Sequence, residues 1–311
     1  MYDLTDAIFH DEDRARAWLE AQRWPDGPVC PHCGVINQAT LLKGKSTRPG
    51  LYKCRACEKP FSATVGTVFE RSKIPLHKWL LATVLLTSSK KGFSSHQIHR
   101  QLGVTYKTAW FMTHRIRAAM APSASNSGPL GGEGKVLESD ETFVGGKKKN
   151  VHRGKPEPKK HAVHALVERG GHVRATHVAD VTAKTLRETL AKHADRKSAL
   201  HTDDSLANLS IGKDFADHQT VAHTLGEYVS KDGTAHTQTV ESFFALIKRQ
   251  IYGTHHAVSE AHLQRYVTEA AFRWNHRVSL GVNDNARAAA AIKAIGGKRL
   301  TYGTTRKAID A

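Results

Sequence analysis

Residues 236–251 show apolar and polar positions that repeat with the period of a helix. Apolar side chains recur there at i, i+4, i+7 and i+11, at Val240, Phe244, Ile247 and Ile251. The polar residues 237–239 precede this stripe and are suited to capping a helix. Glu241 lies at the margin of the stripe, and Lys248 falls on nearly the same side two turns later. The pattern predicts a packed helix with a carboxylate and an amine along one edge.

Glu241 has no charged neighbour at the spacings that form ion pairs within a helix, because positions 237, 238, 244 and 245 are uncharged. We therefore expect its partner to come from elsewhere in the fold. A solvated surface glutamate is the plain structural alternative, and it stays open at this point. Gln238, one turn earlier on much the same face, could compete with Glu241 for any ligand role.

Helical patterns also dominate the N-terminal part of the chain. Helices are predicted over residues 1–24 and 76–89, and the second is too short to span a bilayer. An amphipathic helix over 94–102 and a longer one over 105–120 flank Gly103, which is the layout of a helix-turn-helix motif. A plain helical hairpin would show a similar pattern.

The second helix of this pair is the candidate for DNA recognition. Its first turn would offer four side chains to base edges or phosphates: Thr105, Tyr106, Lys107 and Thr108. Further along, Ala109, Met112 and Ile116 are predicted to pack inward, and His114, Arg115 and Arg117 to face outward. Arg115 is therefore included among the expected DNA contacts.

The periodicity changes after a linker rich in Ser and Gly at residues 123–134. Three strand-like segments follow at 135–144, 160–170 and 172–181 and predict an antiparallel meander. A helix over 185–193 then leads to a short strand at 198–205, which we expect to join the sheet in parallel, and another short strand covers 217–223. A helix over 262–277 and, after Gly281, an Ala-rich, basic and weakly helical tail complete the chain.

Four cysteines form two CxxC pairs, Cys30 with Cys33 and Cys54 with Cys57, separated by 20 residues. This is the upper edge of the spacing for a four-thiolate zinc site, and Gly34 suits the tight turn after the first pair. Random placement rarely gives two such pairs. The spacing predicts a zinc ribbon whose Zn²⁺ is structural, because no ligand position is left for water.

The overall charge predicts a polyanionic partner. The chain has 46 Lys and Arg against 29 Asp and Glu, a formal net charge of +17 and a pI near 9.8. The acidic N-terminus does not resemble a signal peptide, and no apolar run approaches a membrane span. These features predict a cytoplasmic, DNA-associated protein. The basic loop that follows the first strand adds Lys147, Lys148 and Lys149 as expected phosphate contacts.

Carboxylates in two strands and one helix could converge at one point. Asp140 lies within the first strand, and Asp203 and Asp204 follow the short strand at its C-terminal edge, where ligands gather in parallel sheets. If these strands are neighbours, Asp140 and one of the pair meet, and Glu241 can reach the same point from its helix. Carboxylates held this close repel one another unless a cation lies between them. Mg²⁺ is suited to this position because it binds carboxylate and phosphate oxygens. Lys248 would then bind a substrate phosphate.

The segments SDETFVGGKKK, LHTDDS, HTQTVESFFALIKRQIYGTHHAVS and YVTEAAFRWNHR, after a zinc ribbon and a helix-turn-helix, resemble one family over nearly the whole chain. That family is the zinc-ribbon DDE transposases of bacterial insertion sequences, the ISXO-type group. The resemblance implies a multidomain chain in which the N-terminal zinc ribbon plus helix-turn-helix precede an α/β RNase H-like catalytic domain with a mixed sheet. The expected domains are an N-terminal helix and zinc ribbon at 1–70 and a helix-turn-helix region at 71–122. A linker at 123–134, the catalytic domain at 135–280 and a basic tail at 281–311 follow.

The resemblance also implies roles for particular residues. The family's first, second and third acids map to Asp140, Asp203 and Glu241, and its lysine seven residues after the third acid maps to Lys248. Relatives commonly have Asn where this chain has Gln238, and some use Asn in the third position. The expected activity is cleavage and joining of DNA with Mg²⁺ or Mn²⁺, on double-stranded DNA ends and target, by a homodimer. A non-catalytic DNA-binding regulator, a domesticated transposase or an RNase H-like nuclease remain the alternatives.

Overall fold

The structure is a computed structural model that describes residues 3–122, 128–146, 159–222, 226–227, 229–230 and 233–300. The chain forms two compact units. One comprises Met1–Met120 together with Val282–Ala311, and the other is Ala121–Gly281. The chain therefore leaves the first unit after the predicted helix-turn-helix segment and returns to it near the C-terminus.

The first unit begins with a short 3₁₀ turn at Ala7–Phe9 and helix α1 at Glu12–Arg23. Asp11 caps α1, because its side chain accepts a hydrogen bond from the Arg14 N–H. The predicted helix over residues 1–24 is thus interrupted before Asp11. A three-stranded antiparallel sheet follows, with β1 at Ala39–Leu41, β2 at Tyr52–Cys54 and β3 at Pro60–Phe61.

Three helices then continue the first unit: α2 at Leu76–Ser88, α3 at Ser95–Leu102 and α4 at Tyr106–Met120. Ser94 and Gln97 form a reciprocal capping box at the start of α3. Gly103 has a φ of 60°, a left-handed conformation that glycine adopts without steric cost, and this turn ends α3. The two helices and the glycine turn lie where the sequence predicts them.

The second unit contains a five-stranded mixed sheet. Its strands are β4 at Val136–Gly145, β5 at Lys160–Glu168, β6 at Val173–Val178, β7 at Ala199–Asp203 and β8 at Asp217–Val221. The spatial order is β6-β5-β4-β7-β8. The first three strands form the predicted antiparallel meander, and β7 and β8 run parallel to β4. The first and fourth strands of this domain are neighbours, which meets the condition for bringing Asp140 near one of the two acids at the end of β7.

Helices cover both faces of this sheet: α5 at Ala183–His193, α6 at Leu206–Gly212, α7 at Gln238–Gln250 and α8 at Glu260–Asn275. One buried cluster joins β-strand residues to α5 and α6, through Leu166, Leu186, Leu190, Leu200 and Ile211. The other joins the opposite face to α7 and α8, through Val163, Ala165, Val240, Phe244 and Val267. This arrangement is an RNase H-like fold, in agreement with the expected fold class.

The C-terminal segment differs from the predicted separate tail. Residues Asp284–Lys293 form helix α9, which packs on α2 within the first unit. Ala288, Ala291 and Ile292 are buried there. Arg287 donates a hydrogen bond to the Thr87 carbonyl at the end of α2. The alanine-rich composition reflects close packing in this part of the first unit.

None of the helices in the described part of the chain is long and apolar enough to cross a membrane.

Candidate active site

The register of β4 and β7 brings two predicted acids to the same level of the sheet. Val136 lies opposite Ala199 and Glu138 opposite His201. Two residues further along each strand, Asp140 is therefore level with Asp203. Asp140 and Asp203, which the sequence places on separate segments, are thus neighbours on two adjacent parallel strands.

Both acids lie on the face of the sheet that α7 covers. Asp140 stands opposite Ala165 of β5, and residues opposite each other in register share a face. Ala165 belongs to the buried cluster formed with α7 and α8. Asp203 shares this face because it continues the parallel register with Asp140.

The main chain and one amide fix the carboxylate of Asp203. Its Oδ1 accepts hydrogen bonds from the side-chain amide of Asn208 at 2.6 Å and from the Ser205 N–H at 3.2 Å. Asn208 is buried in α6, so this helix holds the carboxylate in place. Asp204 is exposed and follows the end of β7. The structure therefore favours Asp203 over Asp204 as the partner of Asp140.

A third carboxyl group, Glu141, adds to the negative charge at this point. Burial and the charges of Asp140 and Asp203 raise the pKa of Glu141 to about 8. Its Oε1 is buried and has no hydrogen-bond partner in the described part of the chain. The Glu141 N–H donates to Oδ1 of Asp140 at 2.7 Å. The charges of Asp140 and Asp203 thus act on Glu141, although strand alternation directs the Glu141 side chain to the opposite face of the sheet from Asp140.

Glu138 anchors the start of α7 to the same strand. Its carboxylate is fully buried, and Oε2 accepts hydrogen bonds from the N–H groups of Thr239 at 2.8 Å and Val240 at 3.1 Å. Oε1 accepts from the Thr239 hydroxyl at 2.8 Å and from Arg169 Nε at 3.0 Å, and His236 Nδ1 lies 3.3 Å away. An anion at this position satisfies the N–H groups of the first turn and complements the helix dipole.

This contact corrects the predicted cap of α7. Thr237 is the N-cap residue, but its side chain makes no capping hydrogen bond. The cap comes instead from Glu138, about a hundred residues earlier in the sequence. The acidic run of the first strand was visible in the sequence, but nothing in it indicated that Glu138 would meet the start of a distant helix.

Glu241 and Lys248 lie on α7 as predicted from its stripe. Glu241 is in the first turn and Lys248 in the last, and both are exposed. Gln238, the first residue of the helix, is exposed as well. Two groups of potential metal ligands in the described part of the chain have all their ligand atoms within 4.8 Å of one another. The trio of Asp140, Asp203 and Glu241 is not one of these two groups. The structure thus places Asp140 and Asp203 level on adjacent strands and Glu241 on the helix that covers their face, with the ligand atoms of the three not all within 4.8 Å of one another.

The end of α7 is also tied to β4. A π-helical turn at Ile251–His255 extends the helix and carries Tyr252. The Tyr252 hydroxyl accepts a hydrogen bond from the Gly145 N–H and donates one to the Gly145 carbonyl, both at 3.1 Å. The π turn was not predicted, because its local sequence has the same helical periodicity as α7.

The four cysteines form the predicted zinc site in the first unit. All four Sγ atoms lie within 4.8 Å of one another, and the Cys30–Cys57 and Cys33–Cys54 pairs are each 3.7 Å apart. Zn–S bonds of ~2.3 Å in a tetrahedron place sulfurs about 3.8 Å apart, so the set fits Zn²⁺. Backbone N–H groups at Cys57 and Ala56 contribute to lowering the pKa of Cys54 to about 7, whereas desolvation and hydrogen bonds with the other three thiols raise the pKa of Cys33 to about 12.

The first turn of α4 is exposed, as expected for a DNA-reading helix. Thr105, Tyr106 and Lys107 are exposed, and Thr108 is half-buried. The Thr105 hydroxyl accepts a hydrogen bond from the Thr108 N–H at 3.2 Å and so caps the helix. His96 of α3 stacks on Tyr106 with ring centroids 4.3 Å apart.

The prediction that His114, Arg115 and Arg117 face outward is wrong. All three are buried, with Arg115 only 8% exposed. The Arg115 guanidinium donates to the carbonyls of Glu70 at 3.1 Å and Leu300 at 3.2 Å, and it lies over the Phe111 ring. Its charge is engaged inside the first unit, so Arg115 is removed from the expected DNA contacts. Lys147, Lys148 and Lys149 lie outside the described residues.

Comparison with known proteins agrees with this architecture. Residues 129–275 match the family described as the ISXO2-like transposase domain, and residues 10–60 match the transposase zinc-ribbon domain. A protein of Halobacterium salinarum, described as an uncharacterized protein in transposable element ISH50, is 30% identical over 278 residues. That alignment covers 83% of this chain and 89% of the relative. The zinc ribbon, the RNase H-like unit and these matches together show that the chain belongs to the ISXO2-like transposases of insertion elements.

Proposed function

We propose that this protein is a DDE transposase that cleaves DNA at the ends of its element and joins the released 3′-hydroxyl to a target phosphodiester. The observation that carries the proposal is the register that sets Asp140 level with Asp203 on the face covered by α7. Phosphoryl transfer between DNA strands needs oxygen ligands for divalent cations next to a phosphate-binding cation. Glu241 and Lys248, both on α7, complete that set.

The donor set fits Mg²⁺ or Mn²⁺, held by Asp140, Asp203 and Glu241. All three are carboxylates, and a divalent cation would offset the repulsion between acids that are held close together. The three acids would not all have to bind the same ion, so their ligand atoms need not all lie within 4.8 Å of one another. Bound ions would activate the attacking oxygen and stabilise the leaving oxygen.

The protein's own residues position the reacting groups. Asn208 and Ser205 orient the Asp203 carboxylate, and Glu138 fixes the start of the helix that carries Glu241. Lys248 lies about 10 Å along the helix from Glu241, at 1.5 Å per residue, where it would bind a phosphate beside the scissile one.

The first unit would select the DNA ends. The zinc ribbon stabilises its small fold, and the exposed first turn of α4 offers Thr105, Tyr106 and Lys107 to the major groove or to phosphates. The net charge of +17 favours a polyanion. Joining two ends of an element requires two active sites, which favours a homodimer in the complex with DNA.

The test supplies element ends as pre-cut duplexes with a free 3′-hydroxyl, a target plasmid and Mg²⁺ or Mn²⁺. The proposal expects joined product only when protein and divalent ion are both present. Cleavage of uncut ends without any joining would favour an RNase H-like nuclease instead. Tight binding to the ends with neither cleavage nor joining would favour a DNA-binding regulator and contradict the proposal.

A further inference from the structure

Two histidines and a glutamate converge at a second place in the RNase H-like unit, apart from the acids described above. His161 lies near the start of β5, His177 near the end of β6, and Glu260 begins α8. One ligand atom from each lies within 4.8 Å of the other two. Neither the family matches nor the proposed reaction assigns any role to these residues.

The sheet and a helix hold the three side chains on one face. His177 pairs with Val163 in the antiparallel register, so His161, two residues before Val163, projects from the same face. The two imidazole rings are 5.8 Å apart between centroids and nearly perpendicular. Gln264 of α8 accepts a hydrogen bond from the His177 N–H at 2.7 Å, which fixes the helix that carries Glu260 against β6.

The separations are close to those of a coordinated metal ion. His161 Nδ1 and Glu260 Oε1 are 3.6 Å apart. Two ligands of a tetrahedral zinc ion with bonds of ~2.0–2.1 Å lie about 3.4 Å apart. Small side-chain rotations would therefore bring the trio into coordination distance without moving the strands.

His177 gives a second, independent indication of a ligand. Its Nε2 is buried and has no hydrogen-bond partner in the part of the chain that the structure describes. A buried imidazole nitrogen without a partner loses the hydrogen bond that water would supply, unless a ligand takes that position. Coordination of Nε2 to a metal ion would supply this missing contact.

Lys159 supports the carboxylate without blocking it. Its Nζ donates to Oε2 of Glu260 at 3.0 Å, while Oε1 is the oxygen directed toward His161. Outer hydrogen bonds of this kind commonly orient carboxylates that bind metals. The arrangement leaves one carboxylate oxygen for an ion and uses the other to hold the side chain.

We propose that His161, His177 and Glu260 form a binding site for a borderline transition-metal ion, with Zn²⁺ as the best fit. Two imidazoles and one carboxylate suit Zn²⁺, whereas Mg²⁺ prefers oxygen ligands alone. Three protein ligands leave a position for water. The ion would join β5, β6 and α8 at one edge of the sheet and stabilise that edge.

The test measures zinc bound to the full-length protein. Wild type and variants are dialysed against micromolar Zn²⁺ in buffer with excess Mg²⁺, which occupies the carboxylate site, and zinc per chain is determined by plasma mass spectrometry. The proposal expects one zinc fewer per chain in H161Q/H177Q than in the wild type, with at least about tenfold weaker zinc binding. His172, exposed in the turn between β5 and β6, supplies the control H172Q, which should retain wild-type zinc.

Zinc should also raise the melting temperature of the wild type and of H172Q, but not that of H161Q/H177Q. Glu260→Gln gives a second variant at an exposed side chain, should the double variant fail to fold. Equal zinc content in wild type, H161Q/H177Q and E260Q would overturn the proposal. Because the readout is bound metal, the result does not depend on whether the protein joins DNA.

Discussion

Two carboxylates two residues apart on β4 have different surroundings and different roles. Glu138 is fully buried and saturated with hydrogen bonds from the start of α7. Asp140 lies further along the strand, level with Asp203 and next to the crowded Glu141. The alternation of a strand puts both acids on the same face. One acid therefore positions the helix, and the other belongs to the proposed metal site.

Glu138→Gln tests the anchoring role. The amide keeps one acceptor but loses the negative charge opposite Arg169 and the helix N-terminus. We expect the free energy of unfolding to fall by about 2–4 kcal/mol, because the buried N–H groups at the start of α7 and half-buried Arg169 lose their charged acceptor. Urea denaturation measures this, and the exposed Glu133→Gln is the control with little expected change. Equal stability of the two variants would contradict the role.

Asp203 and Asp204 offer a matched pair of neighbouring acids. Asp203→Asn keeps an acceptor for Asn208 but removes the charge that would bind the ion. We expect it to lower the rate of DNA joining at least about 10³-fold, while Asp204→Asn stays within about threefold of wild type. Single-turnover joining of pre-cut ends measures both rates. A larger loss in Asp204→Asn would mean that the register does not identify the metal-binding acid.

At the scale of elements, regular patterns predicted structure well where one face of an element is buried. The stripe of α7 is buried as predicted: Val240, Phe244, Ile247 and Ile251. The parallel direction of β7 followed from the intervening helix, whereas its place beside β4 was only a condition of the prediction. The cap of α7 could not be predicted, because Glu138 reaches it from a strand distant in sequence.

Helix α4 shows where the same reasoning fails. Its polar positions were expected to face solvent, yet α4 packs against α2, α3 and α9, so more than one side is covered. Arg115 and Arg117 are buried with carbonyl, hydroxyl and ring partners. A single sequence does not show that α9, from the C-terminal part of the chain, will pack against α4.

Helix α9 should therefore contribute to the stability of the first unit. Ile292 is 1% exposed, and its neighbour Lys293 is exposed. We expect Ile292→Ala to cost about 2–4 kcal/mol through lost burial and a residual cavity, and Lys293→Ala to cost less than about 0.5 kcal/mol. Chemical denaturation of both variants gives the comparison. A neutral Ile292→Ala would indicate that residues 284–293 behave as a tail.

At the scale of the whole molecule, the order of the modules was predictable and the path of the chain was not. The cysteine spacing predicted the ribbon, the change from helical to strand periodicity predicted a second domain, and the resemblance to a transposase family implied that this domain is RNase H-like. The return of residues 284–300 to the first unit depends on contacts between ends of the sequence. Weak helical periodicity in an Ala-rich segment does not show which other element of the protein that segment packs against.

The excess of positive charge should appear in the salt dependence of DNA binding. Replacing three lysines of the basic loop with Gln is expected to reduce the slope of log affinity against log salt by about 2–3. The variant changes Lys147, Lys148 and Lys149 together. A control with the same charge change alters exposed lysines on or near α5: Lys184, Lys192 and Lys197. An unchanged slope in the first variant would reject phosphate contact by the basic loop.

The most direct test of the central claim is DNA joining by Asp140→Asn in the presence of Mg²⁺. The substitution preserves shape but removes the charge of the acid that lies level with Asp203. The account predicts binding of the element's ends at wild-type affinity and a loss of joined product of at least about 10³-fold. Joining at the wild-type rate by a variant that binds DNA normally would contradict it.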